Sequence, residues 1–136
     1  MSNYWTCFAY EGIPPKDLHC THKYLGEQSD FYFCDIHIDI LQYFRYKEEY
    51  EPPPVVNFNK IDWFDHIRVL LPSEPVSLFP LLREWLDVYR KDDFPYNPHV
   101  TCYTEDEINK PFTRYCLMKD DEIITQWRSY EKNNRI

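Results

Sequence analysis

Two short segments carry residues able to do acid–base chemistry at a fixed spacing: His19-Cys20-Thr21 and His99-Val100-Thr101. In an extended chain, side chains two apart emerge on the same side, so each segment presents an imidazole and a hydroxyl together. A pair of such units suits a phosphodiester. One neutral imidazole takes a proton from an attacking hydroxyl or water, and a second, protonated one gives a proton to the leaving oxygen. The two hydroxyls hold the non-bridging oxygens. None of these steps requires a metal, and no cofactor is expected. Lys23 shares parity with His19 and Thr21, Tyr103 with His99 and Thr101, and Tyr10 stands near the end of the first apolar segment. These three are the candidate substrate-binding residues, since a Lys lends charge to a phosphate and aromatics stack on bases. Each also has an ordinary reading, as a solvated Lys or as one of 12 tyrosines serving core or surface.

A zinc site competes for some of the same residues, because His19, Cys20, His22, His99 and Cys102 supply enough ligand types. Strand parity opposes it: Cys20 and His22 alternate away from His19, and Cys102 away from His99. His37 and His66 have no Thr or Ser two residues later and read as structural or surface residues.

The elements that must position these groups follow from periodicity. Residues 4–10 alternate Tyr4/Thr6/Phe8/Tyr10 against Trp5/Cys7/Ala9 and close on Gly12-Ile13-Pro14-Pro15, which predicts a strand. Residues 18–25 form a second strand ending at Gly26. From 29 to 47, Phe33, Ile36, Ile40 and Phe44 recur at near-helical spacing behind a cap at Ser29 or Asp30, although Ile36-His37-Ile38-Asp39-Ile40 also alternates as a strand would. Pro52-Pro53-Pro54 breaks the chain, and strands are expected over 55–58, 61–64 and 67–71. Leu78, Leu81, Leu82, Trp85 and Tyr89 mark a helix opened by Pro75 or Ser77, with its stripe in the core. The stiff lead-in Phe94-Pro95-Tyr96-Asn97-Pro98 feeds a strand over 99–103, and a final hairpin is expected over 111–118 and 122–128 around Lys119-Asp120-Asp121.

Composition narrows the class. At 136 residues the chain fits one domain, and 43% hydrophobic with 18% aromatic residues is too apolar for disorder. A net charge of −8 argues against wrapping long nucleic acid, which needs many cations on phosphates, and leaves a small nucleotide as the expected partner. Glu48-Glu49 and Glu105-Asp106-Glu107 point the same way. The start lacks a basic region followed by an apolar run, and no span reaches about 18 apolar residues, so a cytoplasmic protein without a membrane partner is expected. Five cysteines without CxxC spacing fit a reduced compartment.

The two His-x-Thr segments resemble those of the 2H phosphoesterase superfamily, which includes LigT-like RNA 2′,3′-cyclic phosphodiesterases and phage enzymes that cut cyclic nucleotide messengers. His19-Cys20-Thr21 is followed at Tyr24-Leu25-Gly26 by the aromatic, apolar and Gly positions of that pattern, and Pro98-His99-Val100-Thr101 resembles its C-terminal motif. The resemblance implies His19 and His99 as acid and base, with Thr21 and Thr101 on the phosphate. It implies an α+β fold over 1–136 as a single domain of two pseudo-symmetric lobes, each an antiparallel sheet with a helix, around one groove. The implied reaction is metal-independent hydrolysis of a cyclic nucleotide, cyclic oligonucleotide or short oligonucleotide, with a phage counter-defence role suiting the Gly-poor, Tyr-rich composition. RNA 2′,3′-cyclic phosphate processing is the alternative within the class. A non-catalytic nucleotide sponge is the alternative outside it, and two retained proton-transfer groups speak against that.

Overall fold

The computed structural model describes residues 1–46, 58–73, 78–101 and 103–127. The strands are β1 (Ser2–Ala9), β2 (Cys20–Gln28), β3 (Phe58–Phe64), β4 (Ile67–Pro72), β5 (Val100–Thr101), β6 (Arg114–Lys119) and β7 (Glu122–Trp127), and the helices are α1 (Phe33–Tyr46) and α2 (Pro80–Leu86). Among the described residues seven strands join one sheet in the order β3-β4-β5-β2-β1-β6-β7, and neighbouring strands pair antiparallel. The α+β expectation holds.

Alternation sorts the sheet into two faces. Phe8 pairs with Cys20, Cys20 with Val100, and Val100 with Leu70. All four are fully buried in a large core with Ile36, Ile40 and Tyr43 of α1 and Leu82 and Leu86 of α2. Burying each such side chain contributes roughly 1.5–3 kcal/mol, so this face carries most of the stability. On the other face Cys7, Ala9, Cys116 and Met118 form a separate small cluster against Trp5.

Helix wins over strand in 33–46 because Ile36, Ile40, Tyr43 and Phe44 all reach the core at helical spacing. The Ser29 side chain accepts from the Phe31 N–H and caps a 3-10 turn, Asp30–Tyr32, that leads into α1. The second helix is shorter than its stripe. Pro80 stands in its first turn, where the missing N–H costs nothing, and the residue before it, Phe79, sits at φ 44 outside the helix. Leu78 therefore packs from the lead-in rather than from the helix. The expected strand residues 55–57, the helix opening at 75–77, Cys102 and Arg128 lie outside the described residues.

Two differences in β2 and β5 bear on the site. Strand β2 does not stop at Gly26. The register jumps from Trp5↔Tyr24 to Tyr4↔Gly26, and Gly26 takes φ +73 there, a bulge in which the strand continues to Gln28. An added Cβ at Gly26 would lie 3.1 Å from the Arg90 guanidinium. The last strand of the second motif is only Val100–Thr101. Pro98 has no N–H to pair, and the Thr104 and Glu107 side chains cap the turn that follows.

Candidate active site

The seam between the halves β3-β4-β5 and β2-β1-β6-β7 is the single register step Cys20↔Val100. Both side chains point into the core, so the flanking residues of both motifs emerge on the opposite face. An antiparallel register through that pair sets Thr21 beside His99 and His19 beside Thr101. Extended along that register, the four strand positions lie at the corners of a square, with the two His positions on one diagonal and the two Thr positions on the other. Diagonal neighbours stand roughly 7–8 Å apart, enough to span a phosphate with one oxygen at each end. Thr21 and His99 line the same cavity, and the charge of His99 is felt at His19.

Each imidazole is held from behind. The His19 Nδ1–H donates to the Pro15 carbonyl at 2.6 Å, and the His99 Nδ1–H donates to the Asn97 carbonyl at 2.8 Å. A carbonyl only accepts, so in both rings Nδ1 carries hydrogen and Nε2 is left for chemistry. The Pro15 carbonyl is fixed by a tight turn, in which the Asp17 and Leu18 N–H groups both reach the Pro14 carbonyl. Each ring also meets an aromatic from its own half. Trp5 lies 4.6 Å from His19 between ring centroids, and Phe64 lies 4.9 Å from His99, edge-on. Burial lowers the pKa of His19 below the ordinary histidine value, the Pro15 hydrogen bond opposes that, and His99 adds to the lowering. The lowering favours the neutral form of the His19 ring.

The three candidate binding residues go elsewhere. A second bulge in β2 pairs Cys7 with Thr21 but Thr6 with Lys23, leaving His22 as the extra residue. The parity that would have aimed Lys23 at the phosphate is lost there. Its ammonium is fully buried, 2.5 Å from Asp87 and 3.0 Å from Asp92, and Arg83 pairs with the same Asp92. Tyr10 belongs to the core-facing alternation of β1 and packs on Phe112, fully buried. Tyr103 lies past the end of the two-residue strand, buried in the core with the Arg68 guanidinium 4.8 Å above its ring. The register thus sets His19 and Thr21 beside Thr101 and His99 on one face of the sheet, whereas Lys23, Tyr10 and Tyr103 are buried away from it.

Cys20 and His22 point into the core, as parity required. Burial pushes the Cys20 thiol up to about 12 and the His22 imidazole down to about 3. The His22 ring is locked between the Tyr115 hydroxyl at 2.7 Å on Nδ1 and the Leu78 carbonyl at 2.9 Å on Nε2. Among the described residues no three His, Cys, Asp or Glu side chains gather as metal ligands. His37 stacks on Trp127, and His66 is exposed. Trp5 and Phe64 are the site residues that sequence reasoning missed. Trp5 carried a signal, its parity with Cys7 and Ala9, whereas Phe64 reaches His99 only through the pairing of β3, β4 and β5.

This fold belongs to a known class. Over 93% of the chain it superposes on a crystal structure of a phosphoesterase, with a TM-score of 0.63 at 13% identity and 98% of that chain covered. It also superposes on Escherichia coli LigT crystallised with phosphate, TM-score 0.56 at 13% identity, and with 3′-AMP, TM-score 0.57 at 14% identity, covering 96% of that chain in each case. The chain has the LigT-like 2H phosphoesterase fold. No family model matches the sequence, and no curated protein matches it. Among the described residues no helix is long and apolar enough to cross a membrane.

Proposed function

We propose that the protein is a phosphodiesterase that hydrolyses a phosphodiester of a small nucleotide by two-histidine general acid–base catalysis without a metal. The observation that carries this reading is the Cys20↔Val100 pairing, whose register makes neighbours of the two His-x-Thr segments, with both Nδ1 atoms tied to carbonyls. His19 Nε2 takes a proton from the attacking water, whose oxygen bonds to phosphorus as the bond to the leaving oxygen breaks. His99, protonated on both nitrogens, gives its Nε2 proton to that leaving oxygen. Thr21 and Thr101 donate to the non-bridging oxygens, whose charge grows in the transition state. Proton exchange with solvent then restores the starting states.

The LigT structures obtained with phosphate and with 3′-AMP support a nucleotide-sized ligand for this fold. The acidic chain supports the same choice over long RNA. The substrates to be compared are 2′,3′-cyclic nucleotides, which belong to RNA-end processing, and cyclic mono- or oligonucleotide messengers, whose destruction in a host cytoplasm would serve viral counter-defence. The test is a product screen over these compounds in EDTA. New phosphomonoesters with activity unchanged by the chelator are expected. Activity lost on chelation, together with stoichiometric metal in the purified protein, overturns the metal-free mechanism. Tight binding without products makes the protein a sponge.

A further inference from the structure

We propose that the cavity opening beside Thr21 and His99 is a subsite for a single nucleoside, with Phe94 as the face on which its base stacks. This inference rests on the phosphodiesterase reading and narrows its substrate class. The cavity, about 220 Å³, runs from Thr21 and His99 between Tyr24 on β2 and the segment Phe94-Pro95-Tyr96-Asn97. It is smaller than the roughly 300–1,000 Å³ typical of sites for drug-sized ligands, and so suits one base with part of its sugar.

The wall that carries Phe94 is pinned at both ends. At one end Asp92 is paired with Lys23 and Arg83. At the other, the Tyr96 hydroxyl donates to the Thr21 carbonyl at 2.6 Å while Arg83 covers the Tyr96 ring at 4.1 Å. Phe94 is nevertheless 81% exposed, an aromatic ring held over a rigid rim beside the reacting groups. An exposed ring on a stiff segment stacks a base at little ordering cost.

Charge separates a base from a second phosphate. The cations of this wall, Lys23 and Arg83, are matched by Asp87 and Asp92, which leaves the cluster neutral. Arg90 lies on Tyr24, 5.2 Å from the ring, and does not line the cavity. Apart from His99, which serves the reacting phosphate, this wall accepts an uncharged base and, among the described residues, offers no counter-charge for a further phosphate, so the substrate has one phosphate at the site and a nucleoside on this side of it. A cyclic mononucleotide or a 2′,3′-cyclic phosphate meets that description, and a cyclic dinucleotide does not.

The experiment measures kcat/KM for adenosine 2′,3′-cyclic phosphate, for base-free glycerol 1,2-cyclic phosphate and for a cyclic dinucleotide. It uses the full chain as wild type, Phe94→Ala and Phe94→Trp. Loss of base stacking lowers kcat/KM on the adenosine substrate roughly tenfold in Phe94→Ala, mainly through KM, leaves glycerol cyclic phosphate unchanged, and is rescued in Phe94→Trp. Equal losses on both mono-phosphate substrates, or no loss on either, overturn the subsite. So does a wild type that cuts the cyclic dinucleotide as well as the adenosine substrate. If the wild type cuts none of the three, the phosphodiesterase reading has failed instead. Calorimetric titration of 3′-AMP then decides the subsite alone: weaker binding to Phe94→Ala upholds it, and equal binding removes it.

Discussion

His19 stands at the head of β2, a nine-residue strand hydrogen-bonded to β1, with Trp5 over its ring and a proline turn behind it. His99 precedes a two-residue strand, leaves a proline-flanked loop, and meets Phe64 edge-on from a hairpin on the other side. The same three-residue motif therefore sits in two unlike settings. Burial dominates the first and lowers the pKa of His19, which suits the proton acceptor. The second lies in a more open position beside the cavity, where a leaving group can be reached from solvent. In the mechanism proposed above, it is these unlike surroundings that divide the two motifs into base and acid.

The largest test removes either half of the pair. His19→Ala and His99→Ala each lower turnover about 10²–10⁴-fold, and the double variant is little worse than either single one, because the two act as a unit. Thr21→Ala and Thr101→Ala lower it less, since water replaces part of a lost donor. His37→Ala and His66→Ala stay near wild type. Circular dichroism on each variant checks folding, and a folded His99→Ala protein with normal turnover would sink the pairing.

Next in size is the ion cluster that ties the loop before His99 to β2. Lys23→Met removes a buried ammonium from two carboxylates that remain about a third exposed. The expected loss of unfolding free energy is about 2 kcal/mol, less than for a fully buried pair, and any rise in KM comes only with that loss, through a looser Phe94 wall. Denaturant melts and initial-rate kinetics read the two separately. A raised KM at unchanged stability would return Lys23 to the substrate.

The unlike settings of the histidines are compared directly by Trp5→Ala and Phe64→Ala. With Trp5 gone, water reaches His19, its pKa rises toward the ordinary value of about 6.5, and the acid limb of the kcat/KM profile moves to higher pH. Phe64→Ala leaves that limb in place. Equal displacement by both substitutions would erase the proposed division into base and acid.

The last test concerns stability alone. His22 is fully buried with its pKa lowered to about 3, below the unfolded value of about 6.5. Between these values the unfolded chain binds a proton that the folded one does not. Stability therefore falls as pH drops from about 6.5 toward 3, with a limiting slope of about 1.4 kcal/mol per pH unit from this residue. His19 acts in the same direction. Urea melts at pH 7 and 5 on wild type and His22→Gln measure it, and an identical pH dependence in the two would show that His22 is not the cause.

Strand parity and helical spacing are local properties, and what depended on them was legible in the chain. The orientation of His19 with Thr21 and of His99 with Thr101, the inward turn of Cys20 and His22, and the helical face of Ile36, Ile40 and Phe44 follow from the order of residues. Register, bulges and strand ends are set by partners far along the chain, and only the tertiary structure decided those. The extra residue at His22 turned Lys23 into an ion cluster, the short β5 left Tyr103 in the core, and the alternation of β1 sent Tyr10 to the core face. The single step Cys20↔Val100 made two distant motifs into neighbours. That step, like the placing of Trp5 and Phe64 against the two imidazoles, depends on which strands pair and in what register, a choice made by the packing of the whole core rather than by any one segment.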